Sequence, residues 1–420
     1  MDFEYTDLVV IGGGAAGMMC AYTAAERGLN VTLLDPNNQL GRKVRITGKG
    51  RCNVTNASDM EQYQRNIFRN PRFLYAAFAQ LDNAGMMALV EDLGTPLKVE
   101  RGNRVFPVSD KSSDVIAALK RGLDGAGVEI RLNTRVTQLL TEDGSCVGVA
   151  LEDGKSLYAD AVILATGGLS YPSTGSTGDG YALARAAGHT VTPTLPALVA
   201  IDTVESWPGT LAGLTLKNVT LTACLTGGKK DKRLYSQMGE MLFTHTGISG
   251  PLALTLSSLL PEDLSTVRMS IDLKPALDEQ TLDARLLRDF REMSRKQLSS
   301  VVDGLAPRSL AEQLIRLAGL SPTMLVNAVT AQQRASLLKV IKGIELHPSG
   351  LGGFNEAIIT RGGVNVKEIN PSTMQSRLLK NLYFCGELMD VDAATGGYNL
   401  QIAFSTGALA GKSAAARADE

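Results

Sequence analysis

Hydrophobic positions along this chain recur with two different periods, and the order in which the periods follow one another predicts its architecture. A continuous apolar run, Leu8-Val9-Val10-Ile11, meets a cluster of glycines. A small-residue stretch over 18–27 and a second apolar run, Val31-Thr32-Leu33-Leu34, come next. Short apolar runs bounded by glycine read as buried strands, and the stretch between them as the helix joining two parallel strands. Over 63–92 the apolar residues take helical spacing, with Phe73, Ala76, Ala77 and Leu81 on one face, a stripe that predicts core packing. Leu97–Glu100 and Arg104–Pro107 flank Gly102-Asn103 and predict a hairpin, 113–123 a helix and 128–132 a strand. Strict alternation then takes over at 136–139, 146–150 and 157–158, with breaks at Glu142-Asp143-Gly144 and Glu152-Asp153-Gly154, which predicts an antiparallel meander. The meander runs into Ala161-Val162-Ile163-Leu164-Ala165 and stops at Thr166-Gly167-Gly168. That is the pattern of a buried parallel strand ending where a ligand lies.

The pattern changes at about residue 191. Strands broken by Pro and Gly, over 198–203, Thr215–Leu225, 233–243 and 267–273, predict an inserted β-barrel-like domain over 191–275. Helices follow over 276–347, with capping boxes expected at Ser309-Leu310-Ala311-Glu312 and Thr330-Ala331-Gln332-Gln333 and with Leu310, Leu314 and Leu317 on one face. This part is expected to form a helical subdomain. Ala357-Ile358-Ile359-Thr360 and Leu382-Tyr383-Phe384-Cys385 restore the strand pattern, and a helix is expected over 400–416. The fold class is therefore α/β: a Rossmann-like nucleotide-binding domain made of 1–190 and 348–420, interrupted by the two-part insertion.

Composition narrows this picture. A chain of 420 residues exceeds one simple core, so two or three domains are expected. A formal charge of −1 gives no overall pull toward nucleic acid or a membrane surface. The 43 glycines gather in turns rather than in repeats, which points to loops that cradle a ligand. Five cysteines, Cys20, Cys52, Cys146, Cys224 and Cys385, are scattered without a C-x-x-C, so neither a disulfide framework nor a zinc site is expected and a reducing compartment fits. No apolar run approaches the roughly 18 residues that cross a bilayer. Asp2 and Glu4 stand where a secretion signal has lysines, so a cytoplasmic protein without a membrane partner is expected.

The candidate chemistry begins at Gly12-Gly13-Gly14-Ala15-Ala16-Gly17, between the first strand and its helix. In a G-x-G-x-x-G turn, Gly12 permits the tight turn, Gly14 lets a pyrophosphate approach the backbone, and Gly17 lets helix and strand pack closely. The amides of Ala15 and Ala16 and the helix dipole favour phosphate charge. Asp35, at the end of the second strand, is placed to accept from a ribose hydroxyl. A second glycine-rich, cationic loop follows at Gly41-Arg42-Lys43 and Thr47-Gly48-Lys49-Gly50-Arg51-Cys52-Asn53. There Arg42, Lys43 and Arg51 are expected to neutralise phosphate charge, and the glycines to admit a planar ligand. Asp179 is read either as the cap of the helix behind it or as a cofactor contact. Glu387, at a strand tip, is expected to accept from hydroxyls of the ligand.

These loops carry a resemblance. Gly41-Arg42-Lys43, Thr47 through Asn53, Phe243-Thr244-His245-Thr246-Gly247-Ile248-Ser249-Gly250-Pro251, and Phe384-Cys385-Gly386-Glu387 through Gly396-Gly397-Tyr398-Asn399 resemble the flavoproteins of the aminoacetone-oxidase, bile-acid-reductase and ribosomal-dihydrouridine-synthase group. The likeness covers essentially the whole chain. It implies non-covalent FAD held by Gly12, Gly14, Ala15, Ala16, Gly17, Asp35, Arg42, Lys43, Thr47, Gly48, Arg51, Cys52 and Asn53. It adds the backbone at Val136 for the adenine, and Thr166, Gly167, Gly386, Glu387, Gly397, Tyr398, Asn399 and Leu400. Lys49 departs from the pattern, standing where the group usually has a third glycine.

The group's chemistry leaves the substrate open. Reduction of a C=C bond conjugated to a carbonyl comes first, in a 3-oxo bile acid or steroid or in uracil of ribosomal RNA, with NADH or NADPH as hydride donor. Oxidation of an aminoacetone-like amine by O2, and a redox-sensing flavoprotein, are the alternatives. His245, Arg361 and Tyr398 are the candidate catalytic groups: a histidine in a glycine-bracketed loop, an arginine able to polarise a carbonyl, and a phenol. A small-molecule partner is favoured over RNA. The basic run Lys229-Lys230-Asp231-Lys232-Arg233 and the arginines Arg285, Arg288, Arg291 and Arg295 with Lys296 are the only features that speak for RNA. Nothing in the sequence sets the oligomeric state.

Overall fold

The computed structural model describes residues 4–418, which form two compact units, 4–197 with 353–418 and Leu198–Gly352. In the first, β1 (Glu4–Ile11) lies between β2 (Val31–Leu34) and the strand Ser156–Leu164, parallel to both. Glu129–Arg131 extends the sheet beyond β2. Leu382–Phe384 pairs in parallel with Ser156–Leu164, and the antiparallel strands Ser145–Leu151 and Val136–Glu142 complete the expected meander. The register aligns the strand ends: Ile11 is paired with Leu34 and with Leu164, and Leu164 with Phe384. Four carboxyl ends thus finish in one row, and the segments just beyond them are Gly12, Asp35, Ala165-Thr166-Gly167 and Cys385-Gly386-Glu387. In open parallel sheets this is where ligands bind.

Helix α1 (Ala15–Ala25) is built of small residues so that the long C-terminal helix, Tyr398–Ala418, can lie directly on it. A Cβ on Gly407 would come within 2.3 Å of the Ala16 carbonyl oxygen, and one on Gly411 within 2.4 Å of that of Cys20. The C-terminal helix begins at Tyr398 rather than at Leu400. The first unit also runs on to Ala197 instead of ending at residue 190, because Leu195–Ala197 pairs with Ile359–Arg361. Two local expectations are revised by neighbours. Residues 42–50 are not a loop but a helix, α2 (Arg42–Gly50), kinked at Thr47, Gly48 and Lys49. Pro71–Asp92 reaches the length and mean hydropathy, 1.2, of a membrane-crossing helix, but it is broken into Pro71–Leu74, Tyr75–Gln80 and Asn83–Asp92, with the Asp82 carboxylate capping the last.

The second unit is a seven-stranded antiparallel sheet whose path begins at Ile344–Leu346 and ends at Pro348–Leu351. Only His347 separates these two end strands in sequence. Laid flat, the ends would be about 29 Å apart, against the roughly 7 Å that one intervening residue spans. The sheet must therefore curl back on itself, which makes it barrel-like. The helices Glu279–Glu292, Leu298–Val302, Arg308–Leu317 and Ala331–Lys342 share one apolar core with this sheet. Thr330 and Gln333 form the expected capping box. Ser309 and Glu312 do not, because Pro307 starts that helix and leaves both inside it, where Glu312 pairs with Arg316 at 3.2 Å.

Candidate functional site

The glycine turn divides its three glycines between packing and open space. Gly12 has φ +107°, and a Cβ there would lie 2.6 Å from the Ala165 carbonyl oxygen. A Cβ on Gly17 would lie 1.8 Å from the Gly12 carbonyl oxygen, whereas one on Gly14 would meet nothing within 4 Å. Gly12 and Gly17 are thus glycines for the chain's own sake, and Gly14 faces room for something else. No side chain caps α1 at Gly14. The amides of Ala15, Ala16 and Gly17 and the helix dipole therefore point at that room, an arrangement that suits a pyrophosphate.

Asp35 is more occupied than expected. Its Oδ2 accepts from Gly13 N–H at 2.7 Å, and its Oδ1 accepts from the backbone and side-chain nitrogens of Asn37, both at 2.8 Å. The carboxylate ties the glycine turn to the end of β2, with capacity for one further donor on Oδ2. The three cations expected to neutralise phosphate are likewise engaged by the protein. Arg42 donates to Asn37 Oδ1 at 2.6 Å and to the Ser173 carbonyl at 2.8 Å, and Lys43 pairs with Glu387 at 2.5 Å and bonds Ser170 Oγ. Arg51 is held between Glu100 and Asp110, the latter at 2.6 Å, with its guanidinium 4.0 Å from the centre of the Phe106 ring. Arg51, read from sequence as a phosphate neutraliser, is thus already paired with the acids that flank the hairpin strand.

Around the strand tips several polar atoms are buried without a hydrogen-bond partner. Asn53 Oδ1 and Thr166 Oγ1 are two of them. Thr166 lies against Gly180, where a Cβ would come 1.9 Å from its hydroxyl. In a native protein such atoms need a partner from outside the chain, and here they lie beside the glycine turn and the second loop. Lys49, with φ +59°, is exposed between Gly48 (φ +57°) and Gly50 (φ +84°), so a lysine takes a backbone conformation that favours glycine. Thr47 Oγ1 donates to the Val44 carbonyl at 2.7 Å. Burial pushes the Cys52 thiol up to about 12, so it is neutral and adds no charge.

Gly386, with φ +74°, lies so close to the start of α1 that a Cβ would be 2.7 Å from that of Ala16. Glu387 stands next to it, yet its carboxylate is not free for a ligand: Oε1 accepts from Thr360 N–H at 2.7 Å and from Ser170 Oγ at 2.9 Å, and Oε2 from Lys43. Gly397, at φ +102°, packs on Thr55, whose carbonyl oxygen would be 2.3 Å from a Cβ. The Asn399 side chain accepts from Ala393 N–H and donates to the Ala393 carbonyl, both at 2.9 Å, which fixes the loop ahead of the helix, and Leu400 is half-buried behind it. Tyr398 is 5% exposed, its ring edge-on to Tyr63 at 4.9 Å and its hydroxyl accepting from Asn66 Nδ2 at 3.3 Å. It is a packing residue, not an acid open to a substrate. Val136 is buried at the start of its strand, and the adjacent Arg135 pairs with Asp179. Asp179 therefore lies in the first turn of the helix Asp179–Ala186 and does not cap it.

His245 is exposed in the second unit, in the turn that Thr244 N–H closes on the Gly247 carbonyl at 2.9 Å. Arg361 belongs to the first unit, half-buried at the end of its strand, where its charge acts on Asp392. Arg69 was missed by the sequence reading, which takes Asp390 and Asp392 only as stand-ins for Glu387 at the ligand's hydroxyls. Glu387-x-x-Asp390-x-Asp392 places three acids in six residues after a strand tip, and that spacing is the only signal that marks them.

The chain matches the HI0933-like protein Rossmann domain over residues 6–413. It is 32% identical to a 3-dehydro-bile acid Δ4,6-reductase of Clostridium scindens, over 97% of this chain and 98% of that protein. It is 31% identical to a ribosomal RNA dihydrouridine synthase of Haemophilus influenzae, over 96% and 97% of the two chains. A 3-ketosteroid Δ1-dehydrogenase from Sterolibacterium denitrificans shares the fold at TM-score 0.54 and 13% identity, covering 99% of this chain and 100% of the other. The row of strand tips, the open Gly14 and the match over nearly the whole chain give one answer: the protein belongs to the HI0933-like family and is an oxidoreductase built on a Rossmann-type FAD-binding domain.

Proposed function

We propose that this protein is an FAD-dependent reductase of a C=C bond conjugated to a carbonyl, with a 3-oxo-Δ4 or Δ6 bile acid or steroid as its substrate class. The similarity along the whole chain to a protein named as a 3-dehydro-bile acid Δ4,6-reductase carries the reading. In it, Gly14 with the amides of Ala15, Ala16 and Gly17 would hold the pyrophosphate, Asp35 the ribose, and the backbone at Val136 the adenine. Thr47, Gly48, Cys52, Asn53, Thr166, Gly167, Gly386, Gly397 and the start of the C-terminal helix would hold the rest of FAD, with Glu387, tied to Lys43, Ser170 and Thr360, fixing the strand tip behind them. Bound there, the cofactor supplies the hydride, and NADH or NADPH restores it.

The chain's own part is positional and electrostatic. The N-terminus of the C-terminal helix favours negative charge in front of it. Uncharged Cys52 leaves that preference undisturbed. Arg361 carries the positive charge that would draw electron density onto a substrate carbonyl.

Ribosomal RNA is the second reading, because the Haemophilus influenzae relative and an Escherichia coli relative at 30% identity are named as ribosomal RNA dihydrouridine synthases. Lys229, Lys230, Lys232 and Arg233 are exposed at one end of the second unit's longest hairpin. Arg285 and Arg288, by contrast, both pair with Asp289, which removes much of the helix's cationic face.

Reduced holoenzyme, mixed anaerobically with a 3-oxo-Δ4 steroid, should reoxidise in a single phase. A uridine-bearing ribosomal RNA fragment should leave it reduced. Bleaching of the oxidised enzyme by aminoacetone, with no reoxidation by any conjugated carbonyl, would replace the reductase by an amine oxidase.

A further inference from the structure

The loop after Glu387 buries two acids with less hydrogen bonding than acids need. Asp390 is 9% exposed and Asp392 1%. Backbone bonds hold the loop on both flanks. Phe68 N–H donates to the Asp392 carbonyl and Asp390 N–H to the Val364 carbonyl, both at 2.9 Å, and Asn70 Nδ2 donates to the Asp390 carbonyl at 2.7 Å. Turning the acids out to water would break these bonds. Arg69 lies 3.3 Å from Asp392 Oδ1 and 3.6 Å from Asp390 Oδ1, ion-pair rather than hydrogen-bond distances, and neither carboxylate oxygen of Asp392 has a hydrogen-bond partner.

A buried carboxylate without hydrogen bonds is costly, and the neutral acid much less so. Burial accordingly pushes the Asp392 carboxyl up to about 6, against the pull of Arg69 and Arg361 and with the help of Asp390. The Tyr181 hydroxyl is also buried without a hydrogen-bond partner, and burial, Glu387 and Asp390 push its phenol up. It extends the cluster but stays protonated. Among the charged groups acting on Asp392, none gives it a well-formed hydrogen bond, and an acid poised near neutral pH is what proton transfer to carbon requires.

We propose that Asp392, held beside Arg69 and Arg361, is the proton store of the site, supplying the proton that accompanies hydride addition to the conjugated C=C bond. This role rests on the C=C reduction proposed above. The O–H bond of the Asp392 carboxyl breaks as its proton passes to a bridging water, and that water gives one of its own protons to the carbon next to the carbonyl, where the electron pair of the C=C bond takes it. The hydride, provided by the reduced cofactor, goes to the far carbon, and solvent water returns the proton to Asp392. Because Asp392 is almost fully enclosed, it acts through that water, so Asp392 is a positioning residue and not one that touches substrate.

Three measurements on the holoenzyme test this. In carbon NMR of protein labelled at aspartate carboxyls, one resonance should titrate near 6 and be missing in Asp392→Asn. Single-turnover reoxidation by a 3-oxo-Δ4 steroid should slow as pH rises past that point. Asp392→Asn should slow it by roughly 10²-fold or more and abolish that pH dependence. Arg69→Gln removes a charge that pulls the carboxyl down, so the pH profile should move up by about one unit, a shift that a merely structural role would not produce. An Asp392→Asn rate within twofold of wild type, or a carboxyl titrating near 4, overturns the proposal. Wild-type enzyme that no conjugated carbonyl reoxidises overturns instead the function on which the role rests, and the NMR titration tells the two failures apart.

Discussion

Gly17 lies directly beneath Gly12, so close that a Cβ on Gly17 would stand 1.8 Å from the Gly12 carbonyl oxygen. This contact fixes how steeply the chain turns from β1 into α1. It also separates two glycines that sequence treats alike. Gly17→Ala should lower the melting temperature of the apoprotein by several degrees, because backbone has to move. Gly14→Ala, with nothing within 4 Å of its new methyl group, should leave apoprotein melting unchanged and weaken FAD binding at least tenfold. Equal losses of stability in the two variants would refute the division.

Arg51 offers a test of where phosphate charge is carried. Its partners Glu100 and Asp110 come from either side of the hairpin strand Arg104–Pro107, and Phe106 of that strand lies under its guanidinium. Arg51→Gln should leave FAD affinity within about threefold of wild type. It should loosen the hairpin, seen as faster amide exchange over Leu97–Pro107, with a small, salt-sensitive loss of stability. A large drop in FAD affinity with unchanged exchange would restore Arg51 as a phosphate ligand.

Lys49 holds a left-handed backbone at φ +59° with its side chain exposed. Glycine adopts that conformation without the Cβ clash. Lys49→Gly should therefore stabilise the protein by roughly 0.5 to 1 kcal/mol, after the greater freedom of glycine in the unfolded chain is subtracted. The midpoint of urea unfolding, at unchanged slope, is the measurement. A lower midpoint would mean that the lysine makes a stabilising contact of its own.

Asp392 and His189 should tilt stability with pH in opposite directions. The Asp392 carboxyl is raised from 3.8 to about 6, so the folded chain binds a proton that the unfolded chain has released. Its favourable contribution is present below 3.8 and lost as pH rises through about 6. Asp392→Asn should therefore melt higher than wild type at pH 8, and the gap should narrow by pH 5 and close only below 3.8. His189, 3% exposed and edge-on to Phe384 at 4.6 Å, is pushed below 6.5, mainly by burial. Stability from this neutral ring is full above 6.5 and declines as pH falls below it, so His189→Gln should flatten the acid side of the curve. Thermal melts of the wild type and both variants from pH 5 to 8 would show either tilt reversed, if the assignments are wrong.

Much of the nucleotide unit was written locally. The strand, glycine turn, helix and second strand follow from apolar runs and from glycines whose conformations or contacts exclude a side chain. The meander and the hairpin at Gly102-Asn103 follow from period-two alternation and turn residues, since all of these depend on neighbours a few positions away. The Thr330–Gln333 capping box was legible for the same reason. The one at Ser309 failed because Pro307 started the helix two residues earlier. What tertiary structure decided was which charges meet. Lys43 and Glu387 are 344 positions apart, Asp35 finds Gly13 across the first turn of the sheet, and Arg51 finds its acids on a hairpin folded over it. Asp392 draws its charged neighbours from Arg69 and Arg361 on separate segments. Such partnerships depend on burial and on distances between segments remote in sequence. Residue type announces that a charge is present, but only packing determines whether it is left for a ligand, neutralised by the chain, or buried until it holds a proton.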